Sequence, residues 1–181
     1  MADVTFRFEE RNIKAHSHII ASGSPVLAAM FNNDFKESQE RIVTIKEVKA
    51  DVFDKLLNYL YTGHFDLEFK DIAALLVAAD MYSVFPLREA CIKYLSRNVT
   101  LEQATNYLIL SHLRDSEELF LATLKFIQQN SEAISNRPDW MSLIKNYPEL
   151  SFIAVQFMVK KNTSNIALLL RMRRIRDSVK N

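Results

Sequence analysis

Strict alternation of apolar and polar residues is concentrated in the first 45 positions of this chain, and beyond them almost every apolar pattern repeats at helical spacing. Val4, Phe6 and Phe8 alternate with Thr5, Arg7 and Glu9. After the polar run Glu10-Arg11-Asn12 a second alternation follows at Ile13 and Ala15. Two such runs around a polar turn predict a β-hairpin with one buried face. Ile42, Val43 and Ile45 predict a third short strand. So little strand can build only a small sheet, so the fold class is α+β and mostly helical.

The helical pattern starts at Ser17 in SHIIASGS and restarts at Pro25 in PVLAAMFNN, where Ser24 supplies an N-cap and the proline the first helical position. Ala50 to Tyr61 is a strong amphipathic helix with Val52, Phe53, Leu56, Leu57 and Leu60 on one side, and Gly63 stops it. Phe65 to Leu67 is compatible with a short strand. Helices follow at Asp71 to Ser83, Leu87 to Leu95 behind Pro86, Thr100 to Leu110 with Thr100 as cap, Glu117 to Gln129, Trp140 to Lys145 and Leu150 to Val159. Only 2 glycines in 181 residues accord with helices joined by short connections.

Several function classes fall away. No apolar stretch approaches the roughly 20 residues that span a bilayer, and MADVTFRFEER has neither the basic start nor the apolar run of a signal peptide. The lone Cys91, in the helical stretch REACIKYL, reads as a buried inert thiol in a reducing compartment. The protein is therefore expected inside the cell, in the nucleus or cytoplasm. Two glycines leave no phosphate-binding loop, and no nucleophile–base set or carboxylate dyad stands out, so the chain reads as non-catalytic and without a cofactor. His16 and His18 lack the further ligands zinc requires, so no metal is expected.

Charge is unevenly placed. Residues 160 to 181 carry seven Lys and Arg against Asp177, a net +6, which leaves −5 for the rest of a chain whose total is +1. The segment NIALLLRMRRIRD mixes Ile166, Leu169, Leu170 and Ile175 with four arginines, the composition of a basic amphipathic helix. A nuclear-import signal, a contact with phosphates or a membrane surface, a partner helix, or a helix laid over the preceding ones all fit it. Neither nucleic-acid nor membrane binding is expected from this stretch alone.

Phe35 is the residue hardest to place. In DFKESQERIVTIKE it stands among Asp34, Lys36, Glu37, Glu40 and Arg41. Such a ring either folds back on the helix ending at Phe31 or is held out for a partner to bury.

DVTFRF, IKAHSHIIASGSPVLAAMF, FKES, VFDKLLNYLYTG and LLVAADMY, in that order and spacing, closely resemble the BTB/POZ domain as found in speckle-type POZ proteins of the MATH-BTB group. NVTLEQATNYLILSHLRDSEELFLATLKFI resembles the 3-box helix pair, and the helices to about Val159 a short BACK domain. The resemblance implies a BTB/POZ domain at 1–98, 3-box and BACK-like helices at 99–160, and a basic tail at 161–181. It implies a helical cluster flanked by a short sheet, a homodimer, and a substrate adaptor that binds the cullin-3 N-terminal domain within a cullin-RING ubiquitin ligase. Substrates would be held by a separate domain, missing or unidentified here. Phe35-x-Glu37 matches the family's hydrophobic-x-Glu cullin contact, in which an apolar anchor enters a partner pocket while a carboxylate at the rim fixes register. Tyr82 and Ser83 fall where that face continues, although Tyr82 also suits a core position. Leu108, Leu110, Leu113, Leu119 and Phe120 belong to the 3-box helices, most of them as packing. Ile19 and Ile20 fall at the dimer two-fold, with at least one of them packing in its own core. Ser17 and Glu10 depart from a family basic residue and glycine, and Val155 from an aromatic used in BACK self-association. The alternative is a BTB oligomerisation scaffold without cullin binding.

Overall fold

The alternation of the first residues produces the expected hairpin in the computed structural model, which describes residues 2–32 and 41–159. Strands β1 (Val4–Arg7) and β2 (Asn12–Ala15) pair antiparallel, with Val4 opposite Ala15 and Phe6 opposite Ile13. The Phe8 amide donates to the Arg11 carbonyl at 2.9 Å and closes the turn. Strand β3 (Ile42–Thr44) adds to the other edge of β1 in parallel, giving the order β2-β1-β3. A parallel neighbour demands a crossover, and helices α1 (Ser17–Gly23) and α2 (Pro25–Asn32) lie within it.

Period two puts Val4, Phe6, Val43 and Ile45 on the buried side of the sheet. They meet α3 (Ala50–Thr62), whose Val52, Phe53, Leu56 and Leu57 are buried at helical spacing. Phe53 is the hub: its ring centroid lies 4.7 Å from Phe6, 5.5 Å from Phe8 and 5.3 Å from Tyr82, all in tilted or edge arrangements that aromatic quadrupoles favour. Gly63, at φ +70°, ends α3 with its amide on the Tyr59 carbonyl. Gly23 serves packing instead, since a Cβ there would stand 2.5 Å from Leu60 Cδ2. Helix α4 (Ile72–Met81), capped by the Asp71 carboxylate on the Ala74 amide at 3.0 Å, lies against α3. Helix α5 (Phe85–Arg97) follows.

The chain divides into two compact units, one ending at Tyr94 and the next beginning at Leu95. The second unit is all helical in its described residues: α6 (Ala104–Leu113), α7 (Glu117–Gln129), α8 (Ser131–Ser135), α9 (Pro138–Asn146) and α10 (Pro148–Val159). Its own core gathers Leu108, Phe120, Leu124, Ile134, Trp140 and Phe157, each contributing roughly 1.5–3 kcal/mol by burial. Gln128 Nε2 donates to the Phe157 carbonyl at 2.7 Å and pins α7 to the end of α10.

Two local expectations are corrected. Residues 65–67 form no strand: Asp66 Oδ1 accepts the Glu68 amide at 3.0 Å, an Asx turn that curls the backbone, while Asp66 Oδ2 takes Lys55 Nζ at 2.8 Å. Thr100 does not cap its helix through the side chain. Its carbonyl accepts the Gln103 and Ala104 amides, a turn occupies 101–103, and α6 starts three residues later than the cap suggested. The tail at 161–181 lies outside the described residues.

Candidate functional site

Helix α2 turns two faces to different surroundings. Leu27 and Phe31 are buried in the core, while Pro25, Val26, Ala29 and Met30 form a second apolar stripe. Val43 and Ile45, in and just after β3, face that stripe, and Met81 and Tyr82 close one end. Together with Thr44 and Glu47 they line a groove of about 670 Å³, mostly apolar, in which Glu47 is the one charged residue.

The groove's geometry is fixed from beneath. Ser24, fully buried, accepts the Leu27 amide at 3.1 Å as the N-cap of α2 and donates its hydroxyl to the Tyr82 carbonyl at 2.6 Å. One side chain thus ties the start of α2 to the end of α4. Beyond Tyr82, Ser83 adopts φ +54°, its amide bonds the Asp80 carbonyl at 3.1 Å, and the Val84 amide reaches the Ala79 carbonyl at 2.8 Å. This is a Schellman termination with serine where glycine is usual. The Tyr82 ring is 2% exposed; burial, and then the charge of Glu47, push its hydroxyl up to about 12, so it stays a neutral phenol at any physiological pH.

Of the residues singled out from the sequence, Tyr82 lines the groove, and Ser83, half-buried, follows it directly in the chain without being part of the lining. Phe35 and Glu37 lie outside the described residues; in sequence they fall between α2 and β3, the elements that wall the groove. On α1, Ile20 is wholly inside its own core and Ile19 is half-buried. His16 presents its backbone amide and Nδ1 to the Tyr61 hydroxyl at 2.7 and 2.9 Å. Asp3 accepts the Ser17 hydroxyl at 2.6 Å and the Ser17 amide at 2.8 Å, with Arg41 Nη1 at 3.6 Å, and these bonds hold its carboxyl down at about 2. Cys91 is completely buried, which pushes its thiol up to about 12. Among the described residues no three His, Cys, Asp or Glu are placed to share a metal, and no helix is long and apolar enough to cross a membrane.

Glu47 escaped the sequence reading. The signal available was parity: Val43, Ile45 and Glu47 share one side of the alternation, so an acid sits where the pattern calls for an apolar residue.

The BTB/POZ domain profile matches residues 1–99. The chain belongs to the BTB/POZ family. Members of this family are protein-interaction modules that mediate self-association and partner binding. Among curated relatives, "TD and POZ domain-containing protein 3" of Mus musculus is 36% identical over 139 residues, 76% of this chain and 38% of that protein. "TD and POZ domain-containing protein 1" of Mus musculus is 32% identical over 153 residues, 83% of this chain and 42% of that protein. "Protein maternal effect lethal 26" of Caenorhabditis elegans is 30% identical over 152 residues, 83% of this chain and 38% of that protein. The chain thus spans about two fifths of the length of these relatives.

In the second unit, the residues read as 3-box divide by burial: Leu108, Leu119 and Phe120 are core, Leu110 is half-buried and Leu113 is exposed. Phe152 and Val155, on the outer side of α10, are exposed.

Proposed function

We propose that this chain is the cullin-binding and self-associating part of a substrate adaptor for a cullin-RING ubiquitin ligase, with cullin-3 as the partner that covers the groove. The observation that carries the reading is an apolar groove lined by residues of α2 and β3 and by Tyr82, the Phe35-x-Glu37 motif falling in sequence between those two elements. Family membership and the 3-box-like sequence at 98–127 support it, since a scaffold that does not bind cullin has no need of that helix pair. In this reading residues 99–160 are 3-box and short BACK helices, and substrates are held by a region beyond this chain. Self-association uses the outer side of α1, with Ile19 at the two-fold and Ile20 fixing the helix beneath it.

The test is capture by the cullin-3 N-terminal domain. Wild-type protein that fails to bind at micromolar concentration rules out the adaptor in favour of an oligomerisation scaffold. Phe35→Ala weakens capture by on the order of 2 kcal/mol, as loss of an anchor does, and leaves the unfolding midpoint unchanged; an equal loss of stability would place the ring in the core. Glu37→Lys weakens capture likewise. Sedimentation over a range of concentrations tests the dimer, and Ile19→Asp should yield monomer.

A further inference from the structure

The groove has one ionised group in its lining, and that group has no cation of its own among the described residues. The Glu47 side chain is exposed, and among the described residues its carboxylate accepts only the neighbouring Lys46 amide, at 3.3 Å. Elsewhere in the first unit Asp3 pairs with Arg41, Asp66 with Lys55 and Asp80 with Arg88. The rest of the lining is largely apolar and includes Val26, Met30, Val43, Ile45 and Met81. Two of these are methionines, whose unbranched thioethers reshape around an inserted side chain. A carboxylate at the edge of an apolar trough creates a focused negative potential, because the low-dielectric wall beside it does not screen the charge. That potential reaches the groove floor, where it contributes to holding the Tyr82 hydroxyl protonated.

We propose that Glu47 is a specificity residue of the groove, which takes a partner segment presenting a large apolar side chain next to a lysine or arginine, the apolar group seated between α2 and β3 and the cation on Glu47. This deepens the reading above and rests on it: the segment is supplied by the cullin. A lone rim carboxylate acts mainly on association and on rejection of acidic segments, with the apolar seat controlling dissociation.

The experiment measures association and dissociation of the cullin-3 N-terminal domain on full-length wild-type, Glu47→Gln, Glu47→Lys and Val26→Asp chains, at low and high salt. Glu47→Gln is expected to slow association several-fold and flatten its salt dependence. Glu47→Lys slows it roughly tenfold or more, and Val26→Asp speeds dissociation. Glu47 is exposed and, among the described residues, bonds only to its neighbour, so both Glu47 variants should unfold at the wild-type midpoint. Wild-type binding with Glu47→Gln and Glu47→Lys indistinguishable from it overturns the inference and leaves the adaptor reading standing. Wild-type protein that does not bind overturns both. A change in self-association on Glu47→Lys, with cullin capture intact, assigns the groove to a second copy and also overturns the inference.

Discussion

Ser24→Ala is the substitution that most sharply probes how the groove is held. The hydroxyl is completely buried and makes two bonds, accepting from Leu27 at 3.1 Å and donating to the Tyr82 carbonyl at 2.6 Å. Losing an N-cap costs about 1 kcal/mol, and leaving a buried carbonyl without its donor costs about 1–3 kcal/mol. The two share one hydroxyl and are not independent, so roughly 2–3 kcal/mol is expected in total. The one tryptophan, Trp140, lies in the second unit, and its fluorescence is therefore silent on this change. Hydrogen exchange at the α3 amides reads the first unit directly. Because each 1.4 kcal/mol is a factor of ten, protection there should fall roughly 30- to 100-fold. Ser22→Ala is the control: that hydroxyl is exposed and, among the described residues, bonds only the Ile19 carbonyl one turn back, so its removal should stay within about 0.5 kcal/mol. A Ser24→Ala loss below about 0.5 kcal/mol would refute the tie between α2 and the end of α4.

The two glycines should respond to alanine for different reasons. Gly63→Ala meets no atom within 4 Å but carries a side chain at φ +70°, so it costs about 1 kcal/mol; Gly23→Ala drives a methyl against Leu60 and costs about 1–3 kcal/mol by overpacking, both measurable by urea unfolding. Asp3 has a depressed carboxyl, so its contribution to stability is in place above the unfolded value of roughly 3.9 and is lost as pH falls from there through about 2. An acid titration of wild type against Asp3→Asn should show that dependence only in the wild type.

Much of this architecture was legible because hydrophobic period and burial share a cause. Val4, Phe6 and Phe8 declare a sheet face, and Val52, Phe53, Leu56 and Leu57 a helix face, since each must meet a core on one side only. What escaped depends on partners that local pattern does not name. The parallel pairing of β3 on β1 is a tertiary choice, and α8 is too short to show a period. At Phe65 to Leu67 the apolar residues do alternate, but the Asp66 carboxylate captures the Glu68 amide and Lys55, and these bonds outweigh a strand propensity that has no edge to pair with. In the groove, Tyr82 was read as either core or surface, and it serves as both, a buried ring whose edge forms the floor. Glu47 escaped because its parity with Val43 and Ile45 marks an odd acid without naming the apolar walls that α2 and Met81 bring to it.

The helix ends explain a further part of the difference and bear on the site. Both α4 and α6 finish in Schellman turns without glycine: Ser83 at φ +54° and Asp115 at φ +48°, each followed by an amide that returns to the carbonyl five residues back, Val84 to Ala79 and Ser116 to Ser111. Sequence rules look for glycine at such ends, which is why the stop of α6 at Leu113 was read at Leu110. Aspartate tolerates the left-handed region comparatively well, whereas serine has less claim to it. A strained residue persists where its surroundings over-determine it, and such positions gather at binding surfaces. Ser83 adjoins Tyr82 at the end of the groove, so Ser83→Gly separates the two roles. Relief of the left-handed strain, less the entropy glycine adds to the unfolded chain, should raise stability by about 0.5–1 kcal/mol in urea unfolding. If the hydroxyl or the stiffness of that turn serves the partner, cullin capture should weaken while stability rises. Capture and stability that rise together, or capture left untouched, would remove Ser83 from the binding surface and leave Tyr82 as the groove's end.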